Sequence, residues 1–246
     1  MTAARTALVT GGSRGIGAAT AIGLARDDWD VAISYRERKD EADRVVAACV
    51  EAGRRAVAVR ADLGDSAGVE PLFESAESEL GPITALVNNA GVVSPAGLVA
   101  DYDAARIERI LAINVTGAFL VAGAAVRRMS TARGGSGGVI VNVSSRAAVL
   151  GGAGEYVDYA ASKAAVDALT IGLAAEVAPE GIRVVGVRPG LIDTEIHAPG
   201  RLERLGGTPP VGRPGTAGEV AAAIVWLVSD AATYVTGTTL DVSGGR

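Results

Sequence analysis

Two titratable side chains stand four residues apart where an apolar helical pattern begins: Tyr159 and Lys163, in YAASK. That spacing puts a phenol and an ammonium one turn apart on a single helical face. Tyr156 cannot form the same pair, because position 160 is alanine. Of the 23 lysine and arginine residues only Lys39 and Lys163 are lysine, so a chain biased against lysine carries one at this spacing. The purely structural reading of the pair is a snorkelling lysine beside an interfacial tyrosine. Upstream, the run VIVNVSS ends in Ser144 and Ser145. Successive strand side chains face opposite ways, so one of these hydroxyls points at a ligand; Ser145 is the expected one and Ser144 its rival.

A second constellation is TGGSRGIG, from Thr10 to Gly17. Glycines at 11, 15 and 17 let the turn tighten, let backbone N–H groups approach a pyrophosphate and let the helix pack near the strand. Such a turn by itself is equally a tight βα connection, but opening the first helix of a βαβ unit it predicts dinucleotide binding. The second strand-like run ends Ile33-Ser34-Tyr35-Arg36, without the acid that an NAD or S-adenosylmethionine site would use for ribose hydroxyls. Arg14 and Arg36 instead offer two guanidinium groups where a 2′-phosphate would sit, which predicts NADP, with NADPH preferred over NADH. As solvated surface charges the same two arginines would discriminate little.

The elements that must hold these groups follow from the hydrophobic pattern. Apolar or β-branched runs at 6–10, 30–35, 56–60, 85–88, 139–144, 183–187 and 238–242 read as strands, several too continuously apolar to have a wet face. Helical periodicity fills 15–26, 40–52, 66–80, 103–129, 159–178 and 217–228. The alternation predicts an α/β Rossmann fold, a doubly wound seven-stranded parallel sheet with helices on both faces and ligands at the carboxyl ends of the strands.

Composition bounds the rest. At 246 residues and 49% hydrophobic, the chain is expected to form one domain over 1–246. A net charge of −5 leaves no basic footprint for nucleic acid and no polybasic membrane anchor. The uncharged stretch 111–126 contains Asn114 and ends at Arg127 and Arg128, which reads as too short and too polar to span a bilayer. A first strand-like run within six residues, with no apolar leader, points to a cytoplasmic protein. One cysteine, Cys49, and one histidine, His197, exclude disulfides within the chain, zinc fingers, iron–sulfur clusters and multi-histidine metal sites, so no metal is expected. Cys49 falls on the apolar side of a helical pattern and reads as a buried thiol. No G-x-S-x-G elbow accompanies His197, which weakens hydrolase readings.

Taken in order, these motifs resemble the short-chain dehydrogenase/reductase (SDR) family along nearly the whole chain. The resemblance rests on the glycine motif (Thr10, Gly11, Gly15, Ile16, Gly17), Asn88-Asn89-Ala90-Gly91, Asn114 in ILAINVTGAF, Ser145, Tyr159 to Lys163, Pro189-Gly190 and the terminal TGTTLDVSGG. One departure is a separation of Ser145 and Tyr159 one residue longer than the family's commonest, through GGAGEYVD.

The resemblance implies an enzyme that interconverts a carbonyl and an alcohol with a nicotinamide cofactor. Tyr159 would be the proton donor or acceptor, its pKa of ~10 lowered by Lys163. Ser145 would bond the substrate oxygen, Lys163 would also hold a ribose, and Asn114 would carry a water linking Lys163 to solvent. Cofactor contacts would further include Ser13, Tyr35, Leu63, the adenine-facing Asp62, and Asn88, Ala90 and Gly91 beside the adenine-side ribose. Ile192 and Thr194, after Pro189-Gly190, would take the carboxamide, and 191–214, with His197, would form a substrate lid. The expected partner is a small carbonyl or alcohol. A 3-oxoacyl-carrier-protein reductase, which would want a basic rim such as Arg127, Arg128 and Arg133, and a sugar dehydrogenase remain alternatives. So does a dinucleotide-binding sensor without turnover. A homotetramer is expected from the small-residue helix 159–178 and the apolar helix 103–129.

Overall fold

The computed structural model of the protein describes residues 5–246. The strands of the main sheet are β1 (Thr6–Val9), β2 (Asp30–Tyr35), β3 (Ala56–Arg60), β4 (Ala85–Asn88), β5 (Gly138–Val143), β6 (Ile182–Pro189) and β9 (Thr239–Val242), in the order β3-β2-β1-β4-β5-β6-β9. All neighbours run parallel. A two-residue pair, β7 (Ile192–Asp193) and β8 (Gly215–Thr216), closes the segment between them.

The strands read as apolar runs because both faces are covered. Ala7, Val9, Val31, Ile33, Val87, Val141 and Val187 face one core with α1 (Gly15–Arg26), α2 (Lys39–Glu51) and α9 (Ala217–Val228). The alternate residues Leu8, Ala32, Leu86, Ile140 and Val184 face a second core with α3 (Val69–Leu80), α5 (Ala118–Met129) and α7 (Val157–Val177). The period-2 alternation thus divides one apolar strand between two cores. Cys49 is buried in the first, and burial pushes its thiol up to about 11, which keeps it protonated and inert.

The pattern over 103–129 becomes a continuous helix with an interruption: α4 (Ala104–Leu111), a π-helical turn (Ala112–Gly117), then α5. Asn114 lies in that turn, its Oδ1 accepting from Val92 N at 2.8 Å and its Nδ2 donating to Val92 O at 2.9 Å. Single-turn π-bulges of this kind inside an α-helix are frequent at functional sites. By length and composition alone, the helix Ala104–Met129, longer than the uncharged stretch 111–126 within it, would be apolar enough to cross a membrane. Val121, Ala124, Ala125 and Met129 on it are instead buried in the second core.

Helix α7 begins two residues before the periodicity does, because Asp158 in its first turn is held from outside. Its carboxylate accepts from Arg106 of α4 at 2.7 and 3.2 Å and from Tyr159 N at 2.9 Å. The remaining α-helices are the short α6 (Ala147–Leu150) and α8 (Arg201–Leu205).

Candidate active site

The carboxyl ends of β1, β4, β5 and β6 meet where the strand order reverses, the position at which open parallel sheets bind ligands. There β1 runs into the glycine turn. Gly11 and Gly15 have φ of +63° and +54°, the left-handed region that favours glycine. A Cβ on Gly17 would lie 2.4 Å from Gly11 O and 2.6 Å from Asn89 Nδ2, so α1 packs there only without a side chain. The turn is tied to both neighbours: Gly11 N donates to Ser34 Oγ (3.1 Å), and Asn89 Nδ2 donates to Thr10 O (2.9 Å). Thr10 Oγ1 accepts from Asn89 N and Ala90 N. Ser34 carried no signal in the sequence, since its role is to reach across from β2.

No side chain caps the first turn of α1 and no acid stands in it, which leaves a positive helix end open to an anion. Arg14 is the residue just before this end and Arg36 follows β2, and each has a carboxylate partner: Arg14 with Glu195 at 3.9 Å, Arg36 with Glu37 at 2.5 Å. Asp62 Oδ1 accepts from Gly64 N (2.9 Å), closing an Asx turn. Leu63 packs its side chain into the second core.

Asn88 is the last residue of β4. Its carboxamide turns inward, donating to Ala118 O (2.9 Å) and Asn142 Oδ1 (3.2 Å), so its side chain braces β4 against β5 and α5 rather than facing the cleft. Gly91 does lie in the cleft, where a Cβ would come within 3.3 Å of Lys163 Nζ. Gly190 must also lack a side chain, since a Cβ would sit 2.7 Å from Ser243 Cα. Thr194 overhangs the glycine turn, its Cγ2 3.4 Å from a Cβ on Gly15.

Ser145, Tyr159 and Lys163 share the wall of one cavity of about 840 Å³ with Ile16, Gly91 and Thr194. The two serines separate as alternation requires: Ser144 Oγ is buried and donates to Lys163 O (2.9 Å), while Ser145 Oγ accepts from Ala147 N (3.1 Å) beside Tyr159. Lys163 is buried, its Nζ donating to Val143 O (2.7 Å) and lying 5.9 Å from the Tyr159 ring centre. Burial pulls Lys163 down to about 8 and pushes Tyr159 up to about 12. The lowering expected from Lys163 is not found, and desolvation of the phenol dominates. Ser145 and Arg201 act in the lowering direction, and Tyr156 in the raising one. Asn114 stands behind Lys163, donating also to Ser162 Oγ at 3.0 Å.

The far side of the cavity holds residues that no motif indicated. Tyr156 packs edge-on against Tyr159, with ring centres 5.6 Å apart at 90°. Glu155 and the buried Arg201 join it, 46 residues apart in the chain. His197 touches Ile192 O with Nε2 (2.9 Å) and Arg201 with Nδ1 (3.0 Å), so both ring nitrogens are engaged within 191–214. Among the described residues, no cluster of three or more His, Cys, Asp or Glu is placed to hold a metal ion.

The model of the short chain dehydrogenase family matches residues 5–204. The chain belongs to the short-chain dehydrogenase family. It is 51% identical over 244 residues, 98% of this chain and 99% of the relative, to the uncharacterized oxidoreductase YgfF of Escherichia coli (strain K12). Among solved structures, a short-chain dehydrogenase from Burkholderia cenocepacia J2315 in complex with NADP superposes with a TM-score of 0.92 at 37% identity, covering 98% of this chain and 97% of that one. The 3-ketoacyl-(acyl-carrier-protein) reductase of Brucella melitensis, complexed with NADH, gives a TM-score of 0.92 at 32% identity, covering 98% of each chain. As a short-chain dehydrogenase the protein is an oxidoreductase of a nicotinamide dinucleotide. The residues present fit that group: a cradle that a Cβ at Gly17 would fill, an uncapped helix end and a buried cation at Lys163.

Proposed function

We propose that the protein interconverts a small carbonyl compound and its alcohol, with Tyr159 as the acid and base and NADPH as the preferred reductant. The observation that carries the reading is the single cavity wall shared by Ser145, Tyr159 and Lys163, facing the glycine turn. A nicotinamide dinucleotide bound along that turn would supply or accept the hydride. Tyr159, held protonated by its raised pKa of about 12, donates its O–H proton to the substrate oxygen in reduction. Ser145 donates a hydrogen bond to the same oxygen, which fixes its position relative to the phenol. Lys163, anchored on Val143 O, keeps a positive charge beside the phenolate that results. Asn114 relays solvent to Lys163 through the π-helical turn, returning the proton.

Arg14 and Arg36 favour NADPH, since a 2′-phosphate can replace Glu195 and Glu37 as their partner. The segment 191–214 serves as the lid. A carrier-protein substrate gains no support from Arg127 and Arg128, because Glu70 and Glu77 of α3 already pair with them. Assembly into a homotetramer would cover Ile107, Leu111 and Phe119 of the α4–α5 helix and Ile171 of α7, all exposed.

The test is NADPH oxidation against a broad panel of aldehydes and ketones, repeated with Tyr159→Phe. That variant should lose two or more decades of rate, the size of general acid catalysis at about 10² to 10⁴, while still binding NADPH. A Tyr159→Phe enzyme retaining more than about a tenth of the rate would assign the proton to another group. Absence of turnover with every carbonyl, with NADPH bound, would favour a sensor.

A further inference from the structure

Arginine is rarely buried, yet Arg201 on α8 is only 8% exposed, and its guanidinium is spent on the approach to α7. Nη2 donates to Glu155 Oε2 at 2.7 Å and also meets the Tyr156 hydroxyl; Nε lies 3.3 Å from the same carboxylate oxygen. Nη1 reaches His197 Nδ1 at 3.0 Å, so His197 accepts there and gives its Nε2 proton to Ile192 O. The guanidinium carbon also stands 5.0 Å from the centre of the Tyr156 ring, whose edge meets Tyr159. An unbroken series of contacts therefore runs from the lid to the phenol.

We propose that Arg201 is a positioning residue for proton transfer: by clamping Tyr156 against Tyr159 it makes covering the cavity and fixing the phenol a single event. This rests on the reading of Tyr159 as the acid and base. A plain tether would need only apolar contact, whereas burying a guanidinium is costly unless its partners are well placed. Glu155 supplies that compensation, its carboxyl held below the usual range chiefly by the Arg201 hydrogen bond, with Arg204 also on it at 2.9 Å. The polar groups that act on the Tyr159 phenol are Ser145 after β5, Tyr156 ahead of α7 and Arg201 on α8, while Lys163 Nζ faces its ring from 5.9 Å. Glu155 and Arg246 act on Tyr156. Arg201 thus brings a second cation to the phenol from the lid side, one that favours the phenolate.

The experiment is alcohol oxidation measured from pH 6 to 10 for Arg201→Met, Arg201→Lys, Tyr156→Leu and Tyr159→Phe, with NADPH affinity in parallel. Arg201→Met should lower kcat about tenfold, more than it raises KM, and move the ascending limb of the profile, which reports the Tyr159 base, up by about half a pH unit or more. Arg201→Lys should bring the limb back, having the charge, but not the full kcat, lacking the fork. NADPH affinity should stay within about twofold, since the clamp lies away from the glycine turn. Tyr156→Leu should lower kcat with the limb nearly in place. A rise in KM alone for Arg201→Met, with kcat and limb unchanged, would overturn the proposal. If Arg201→Met fails to bind NADPH, Tyr156→Leu decides, and full kcat there overturns it. Full activity in Tyr159→Phe would instead bring down the acid–base reading, and the proposal with it.

Discussion

Replacing Gly17 by alanine tests the cradle at its tightest point. The added Cβ would lie 2.4 Å from Gly11 O and 2.6 Å from Asn89 Nδ2, both on the wall opposite α1. An ordinary contact of about 3.4 Å requires the two walls to separate by about 1 Å. Neither atom yields easily, because Asn89 Nδ2 is held at once by Thr10 O and Gly11 O, at 2.9 and 3.2 Å. Overpacking of this kind costs about 1–3 kcal/mol, and because it opens the surface that a pyrophosphate would meet, dinucleotide affinity should fall about 10- to 100-fold. Fluorescence titration with NADPH measures the affinity, and thermal unfolding reports the stability. Gly172→Ala is the control: nothing lies within 4 Å of its Cβ in the middle of α7, so it should leave affinity unchanged and stabilise by up to about 1 kcal/mol. A folded Gly17→Ala protein binding NADPH within about twofold of the unsubstituted chain would refute the cradle.

Three further outcomes are expected. Arg36→Ala should weaken NADPH about tenfold or more and NADH hardly at all, one lost charge-assisted bond being enough, and equal effects in paired titrations would contradict the assignment of the strand tip. Asp158→Asn should destabilise the fold by about 1–3 kcal/mol at pH 7, because half-buried Arg106 loses its carboxylate partner. Although burial opposes it, the Arg106 hydrogen bond holds the Asp158 carboxyl below its ordinary value. Its contribution is therefore present above about pH 4 and lost as pH falls through the depressed value, so denaturant titrations of the two proteins should converge in acid. Light scattering at micromolar concentration should give four times the mass of one chain, and a monomer mass would refute the proposed assembly.

The strands were legible because a parallel sheet covered on both faces leaves no polar alternation: seven apolar runs became seven strands, with ends shifted by a residue or so. The helix ends were less so. Both the π-helical turn at Asn114 and the early start of α7 come with long-range contacts that the local sequence does not show. The first meets Val92, 22 residues away, and the second brings Asp158 to Arg106, 52 residues away. At the site, alternation limited the choice between Ser144 and Ser145 to one of them, and it took the bond from Ser144 Oγ to Lys163 O to show which turns away. Nor could the motif at Asn88 say where its side chain turns, since that answers to Asn142 on the neighbouring strand.

Spacing along one helix or one turn is a local property, so the Tyr159–Lys163 pair, the glycine turn and the sheet beneath them were determined by the sequence itself. The second wall of the cavity was not. Glu155, Tyr156, His197 and Arg201 have no periodicity or motif in common, and each of these polar groups is stable in its half-buried or buried place only because the others satisfy it. Only the tertiary structure decides such a cluster, since the desolvation of an arginine is compensated by partners the chain brings from 4 and 46 residues away.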